Sequence, residues 1–163
     1  MILNQEKYQN TILYLCKNLG GQVQGKKKLA KLLYFVDFDM YENGNVSITG
    51  DTYKKLPMGP FPTSLEDVTS TMVASGNLIV TKRDGLNGYL PTEIYSSPQE
   101  PVMSVFNESE IKILHRVVAK YGQLTGKQLE DLSHAEAPFV GTNLREEIPY
   151  ELTFYRGTDF SDL

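Results

Sequence analysis

Few side chains in this 163-residue chain have broad chemical range: His115, His134, the lone Cys16, and Asp37 set in an apolar run. Histidine metal sites need ligands close together on one face. His115 and His134 stand nineteen positions apart, and no HExxH occurs. One cysteine cannot pair within the chain or build a multi-cysteine zinc site. His134 and Glu136, in Ser133-His134-Ala135-Glu136, have the types needed for a base and its partner, but catalysis also needs a third group and a pocket. The same four residues read as a helix start, with Ser133 and Glu136 as a capping box and His134 filling the turn. Asp37 has apolar neighbours on both sides, Leu33-Tyr34-Phe35-Val36 before it and Phe38 after. A buried, ionised Asp needs donors, which Tyr53, Thr49, His134 or a loop N–H can supply. It would alternatively serve as a general base of raised pKa. No nucleophile accompanies it, so a structural tether is the expected role. GxxxxGK[ST], GxGxxG and GxSxG are all missing, so neither a phosphate cradle nor a nucleophile elbow has support. Local chemistry therefore predicts no catalytic residue, no metal and no cofactor.

The elements that would position these residues follow from periodicity. Tyr8, Ile12, Leu15, Cys16 and Leu19 lie at helical spacing after Asn4, a natural cap, and before Gly20-Gly21. Cys16 then belongs to a packed stripe, where a thiol is inert. Lys26 to Glu42 is apolar nearly all round, through Leu29, Leu32, Leu33, Tyr34, Phe35, Val36, Phe38 and Met40, which marks a helix at the centre of a fold. Val46 to Gly50 is β-prone. Pro57 to Pro62, rich in proline and glycine, reads as a stiff extended loop. Capping boxes are predicted at Thr63–Glu66, Asn107–Glu110, Thr125–Gln128 and Ser133–Glu136. Leu78 to Thr81 and Gly88 to Thr92 flank a turn and predict a β-hairpin. Pro149 to Leu163 is mixed, and is expected to be extended or frayed. The fold class is α+β: a mainly helical single domain with a central apolar helix and a small antiparallel hairpin or sheet. It spans residues 1–163, with a core of about 15–140 and a tail of 141–163.

Hydrophobic residues at 40% and charged residues at 22% are ordinary globular usage, which excludes disorder, collagen and coiled coils. No apolar run is long enough for a bilayer and no secretory leader opens the chain, so a cytoplasmic protein without membrane contact is expected. Charge is uneven. Residues 1–82 carry nine Lys against seven Asp or Glu, and residues 83–163 carry seven Lys or Arg against thirteen Asp or Glu. Only Lys26-Lys27-Lys28 with Lys31 forms a basic knot, and it reads as a solvated helix face, so nucleic acid is not the expected partner.

Three stretches occur in order: Lys28-Leu29-Ala30-Lys31-Leu32-Leu33-Tyr34-Phe35-Val36-Asp37-Phe38, then Ile48-Thr49-Gly50-Asp51-Thr52-Tyr53 running to Gly59-Pro60-Phe61-Pro62, then Ser133-His134-Ala135-Glu136-Ala137-Pro138. Together they resemble the Panacea domain signature, a KLxKLLYFxDF helix, an ITGxxYxxxxxGPxP loop and a SHxExP element. This domain is also called the SocA-like antitoxin or phage-associated GepA-like family. The resemblance covers about Leu15 to Val140. It implies an antitoxin of a bacterial or phage toxin–antitoxin pair, which neutralises a cognate protein toxin by direct contact. A relative's role as adaptor implies an ATP-dependent protease as a further partner. The matched residues Lys31, Tyr34, Asp37, Gly50, Tyr53, Gly59, Pro60, Pro62, His134, Glu136 and Pro138 carry over as structural, none as catalytic.

For the partner surface, the stiff Pro57–Pro62 segment would hold Met58 and Phe61 as apolar anchors, with Lys54 and Lys55 beside them. Equally, Met58 and Phe61 would pack inward over the central helix. Glu146, Glu147, Glu151, Asp159 and Asp162 would mimic nucleic acid if the toxin is a basic nuclease, or simply form a solvated tail. Two readings from other classes stand beside the antitoxin. One is a small hydrolase or nucleotide-modifying enzyme using Asp37, His134 and Glu136; the other is a nucleic-acid-binding regulator using Lys26 to Lys31.

Overall fold

A computed structural model describes residues 2–85 and 90–163. The expected α+β class holds: mainly helical, with two small antiparallel sheets among the described residues. Helix α1 (Gln5–Asn18) starts where the Asn4 carboxamide accepts the Lys7 N–H at 3.0 Å, and closes with the Gly21 N–H on the Cys16 carbonyl at 2.9 Å. Strand β1 (Gln22–Gln24) follows; at three residues it is too short for any period to show in sequence.

Helix α2 (Lys26–Gly44) is the hub, buried without a break from Leu29 to Met40. Strands of both sheets and helices of the later half of the chain pack on it. Phe35 stacks on Tyr121 with ring centroids 4.0 Å apart, and Phe38 stacks on Tyr150 at 4.4 Å. All-round apolarity produced this, because each face of α2 meets a different element.

After α2 the chain makes a hairpin, β2 (Tyr53–Leu56) and β3 (Gly59–Pro62), in the register Tyr53 to Pro62 and Leu56 to Gly59. The expected loop without strands is therefore corrected. In a two-stranded ladder, prolines can direct their missing N–H away from the partner, so Pro60 and Pro62 do not forbid pairing. The β-prone Val46–Gly50 stretch forms no strand. Helix α3 (Leu65–Ala74) leads to β4 (Ile79–Arg83) and β5 (Thr92–Ser96), an antiparallel pair as expected, with β1 on the far side of β5. The returning strand is later than Gly88 to Thr92; Leu86, Asn87, Gly88 and Tyr89 lie outside the described residues.

A short 3₁₀ turn (Met103–Val105) precedes α4 (Glu108–Tyr121) and α5 (Gly126–His134), and both of these helices carry their predicted capping boxes. The box at Thr63–Glu66 is not formed, and neither is the one at Ser133–Glu136. Ser133 is buried inside α5, where its hydroxyl donates to the Glu130 carbonyl at 2.9 Å, and Glu136 instead precedes α6 (Ala137–Val140). A second 3₁₀ helix (Tyr150–Tyr155) occupies part of the segment expected to be extended or frayed, because Tyr150 and Thr153 bury against the fold. Residues 145–148 pair along β2: Arg145 N–H to the Lys55 carbonyl at 2.7 Å, Ile148 N–H to the Tyr53 carbonyl at 2.8 Å. Among the described residues no helix is long and apolar enough to cross a membrane.

Candidate functional site: where the three motifs meet

Lys31 reaches the underside of the β2–β3 hairpin. Its ammonium, almost fully buried, donates to the Pro60 carbonyl at 3.1 Å. Burial pulls this lysine down to about 8, against the opposing carboxylate of Glu130. The approach depends on Gly59, whose φ is +116°. A Cβ there would stand 2.5 Å from Lys31 Cε and 3.1 Å from Ser133 Oγ. Residues of all three motifs thus touch at one point: Lys31 from α2, Gly59-Pro60 from the hairpin, Ser133 from α5.

Asp37 forms the second junction, and it is a tether. Its Oδ1 accepts the N–H groups of Ile48 (2.9 Å) and Thr49 (2.8 Å), and its Oδ2 accepts the hydroxyls of Thr49 (2.5 Å) and Tyr53 (2.6 Å). These four bonds draw Val46–Thr49 around the carboxylate instead of into a sheet. Burial pushes the Asp37 carboxyl up to about 6, although all four donors favour the charged form. Asp51 lies next along the loop. It accepts the Tyr8 hydroxyl at 2.7 Å and the Ser64 N–H at 3.1 Å, so a remote carboxylate holds the N-cap residue of α3, while no side chain caps the helix's own first turn. Between them sits Gly50, with φ +74°, where any Cβ would collide with the backbone of Ile2.

Tyr34 opens the third junction. Its hydroxyl donates to Glu136 Oε1 at 2.8 Å, and the Arg156 guanidinium donates to the same oxygen at 3.0 Å. Arg156 also donates to Asp39 at 2.8 Å and to Glu42 at 3.4 Å, while Arg116 donates to the other Asp39 oxygen at 2.6 Å and to Asp162 at 3.0 Å. Burial alone would weaken the charge on Arg156, yet Asp39 and Glu136 hold its pKa above the ordinary arginine value. Sequence reasoning missed Asp39, Arg116 and Arg156. The available signal was Asp39 itself, a second carboxylate in the same apolar helix, which demands a cation from elsewhere in the chain.

The proposed anchors differ in exposure. Lys54 and Phe61 are cross-strand partners on one face of the hairpin, with Lys54 exposed and Phe61 half-buried against the core, and Met58 at the turn is 60% exposed. Lys55 sends its ammonium over the Phe139 ring at 4.2 Å, and Phe139 stacks on His134 at 4.2 Å. His134 therefore packs in a stack and gives no hydrogen bond to Asp37, whose donors all come from residues 48–53. Asp37 is 0% exposed and Glu136 is tied to Tyr34 and Arg156, so these three polar groups do not share one pocket. The basic knot, Lys31 apart, lies at the surface with its ammonium groups partnered. Lys26 pairs with Glu66 at 2.7 Å, Lys27 with Glu130 at 3.2 Å, and Lys28 donates to the Gly122 carbonyl at 2.8 Å. Pro138 is buried in α6, and its carbonyl accepts the Thr142 hydroxyl at 2.8 Å.

The chain matches the family model described as antitoxin SocA-like, Panacea domain, over residues 29–139. That span runs from the start of the buried face of α2 to the Phe139 of the stack, and so contains the Lys31 and Asp37 junctions whole. No curated protein and no solved structure matches the chain.

Proposed function

The chain belongs to the SocA-like antitoxin family, the Panacea domain, and from that premise we propose that it neutralises a protein toxin by direct contact, with no bond-making of its own. The observation that carries this reading is how the polar motif residues are used. Lys31, Asp37, Tyr34, Tyr53 and Glu136 each hold one element against another. A frame fixed in this way presents the hairpin as a rigid surface, with Met58, Lys54 and the outer edge of Phe61 available to a partner at low entropic cost. The adaptor role, delivery of the bound toxin to an ATP-dependent protease, extends the same reading.

The test is genetic and physical together. The reading frame beside this one is expressed alone and then with this chain. Growth arrest relieved by co-expression, with the two products co-purifying, supports the proposal. An innocuous neighbour, or relief without any complex, counts against direct neutralisation.

A further inference from the structure

Between α6 and the second 3₁₀ helix lies a groove of about 350 Å³. Its lining includes Glu136, Ala137, Val140, Tyr155, Arg156 and Thr158. Val140 is 66% exposed and Tyr155 is 80% exposed. Burying Tyr150 and Thr153 explains the second exposure. A 3₁₀ helix repeats every three residues, so with 150 and 153 inward, Leu152 and Tyr155 form a separate row. Leu152 covers Gly141 at the end of α6, and Tyr155 is left standing at the groove.

The charged groups in the groove's lining are Glu136 and Arg156, and both belong to a larger ion cluster behind it. Arg116 and Arg156 are matched against Asp39, Glu42, Glu136 and Asp162, an excess of two carboxylates. Arg156 is only 3% exposed, so its own positive charge is enclosed by its partners. Glu136 is 23% exposed, and both of its donors converge on Oε1; among the described residues no hydrogen bond is given to Oε2. The groove therefore offers a partly exposed carboxylate with one oxygen to which no described residue donates, small apolar walls and one aromatic face.

We propose that this groove binds an arginine side chain presented by a partner protein, its guanidinium on Glu136 Oε2 and against the Tyr155 ring, its methylene stem along Ala137 and Val140. A planar cation that both hydrogen-bonds and stacks suits these groups better than a lysine ammonium does. Ownership of that arginine by a toxin rests on the antitoxin reading above; the groove's preference does not.

The test is an NMR titration of the full chain with N-acetyl-arginine amide, using N-acetyl-norleucine amide as the uncharged control. Saturable shifts are expected at Ala137, Val140, Tyr155 and Thr158 with the arginine probe only. Tyr155→Ala, an exposed site with little bearing on folding, should weaken them roughly threefold, and Glu136→Gln should weaken them further. Equal response to norleucine, shifts scattered over the surface, no shifts, or an unchanged Tyr155→Ala titration overturns the proposal. None of these outcomes touches the antitoxin reading, and a non-toxic neighbouring gene would leave the arginine site intact.

Discussion

Lys31 and Gly59 are fitted to one another. The lysine ammonium can reach the Pro60 carbonyl only because position 59 has no Cβ and takes a φ of +116°. Gly59→Ala should therefore impose both backbone strain and a clash with Lys31 Cε, a loss of about 2–4 kcal/mol. Urea denaturation would show it as a lowered midpoint at unchanged m-value. A midpoint within error of the parent would mean that the hairpin does not sit on Lys31 in this way.

Asp37 makes stability depend on pH in a definite direction. Its carboxyl titrates near 6 in the folded chain against 3.8 ordinarily. The native state thus holds the proton more tightly than the unfolded state. The associated stabilisation is complete below about 4 and is lost as pH rises through 6, on the order of 1 kcal/mol between pH 5 and pH 7. Burial pushes Asp39 up to about 6 as well, against Arg156 and Arg116, so its contribution has the same sign. Denaturation midpoints taken at pH 5, 6 and 7 should fall in that order. Asp37→Asn should flatten the slope by roughly half, two such groups being involved. A midpoint that rises over this range would contradict the assignment.

Arg156 carries more than any tail residue would. Its guanidinium bridges α2, through Asp39 and Glu42, to Glu136 before α6. Arg156→Ala strands Asp39 with one cation instead of two, and should cost about 3–5 kcal/mol. Glu151→Ala, an exposed site in the same segment, should stay within about 0.5 kcal/mol. Thermal melts of the two variants side by side check this, and similar losses would mean that the ion cluster adds nothing beyond its surroundings.

These contrasts mark what the sequence could and could not disclose. The boxes at Asn107–Glu110 and Thr125–Gln128 are closed by residues three apart, and local chemistry was enough to read them. The start of α3 is held by Asp51, thirteen positions before its N-cap Ser64, and not by a Thr63–Glu66 box. For Asp37, the donors Thr49 and Tyr53 were foreseen because the turn after α2 returns them to it. Arg156 was not, since only the folded α2 face brings Asp39 and residue 156 together. Prolines in Gly59–Pro62 argued against a strand, although a two-stranded ladder tolerates them.

Asp51 shows how much one remote carboxylate is worth. It satisfies the Ser64 N–H at the start of α3 and receives the Tyr8 hydroxyl from α1. Asp51→Ala leaves the buried Tyr8 hydroxyl and the part-buried Ser64 N–H without this partner, a loss of about 2–4 kcal/mol. Amide hydrogen exchange should localise part of it: protection should drop in the first turn of α3 before it drops in α4. Uniform loss across both helices would mean that Asp51 acts on the whole fold and not on the start of α3.

The hairpin face gives the prediction closest to function. Met58 lies at the turn with most of its surface free, whereas Phe61 is partly packed against the core. Met58→Ala should leave the melting temperature unchanged, while Phe61→Ala should lower stability by about 1–2 kcal/mol through lost apolar burial. If the hairpin is the toxin-binding surface, Met58→Ala weakens the complex by about tenfold, near 1.4 kcal/mol, with no change in the isolated chain. Phe61→Ala weakens it as well, but together with the fold, so the Met58 variant decides. Full affinity in Met58→Ala and in Lys54→Ala, measured by titration calorimetry against the co-purified toxin, would move the contact away from this hairpin to another face.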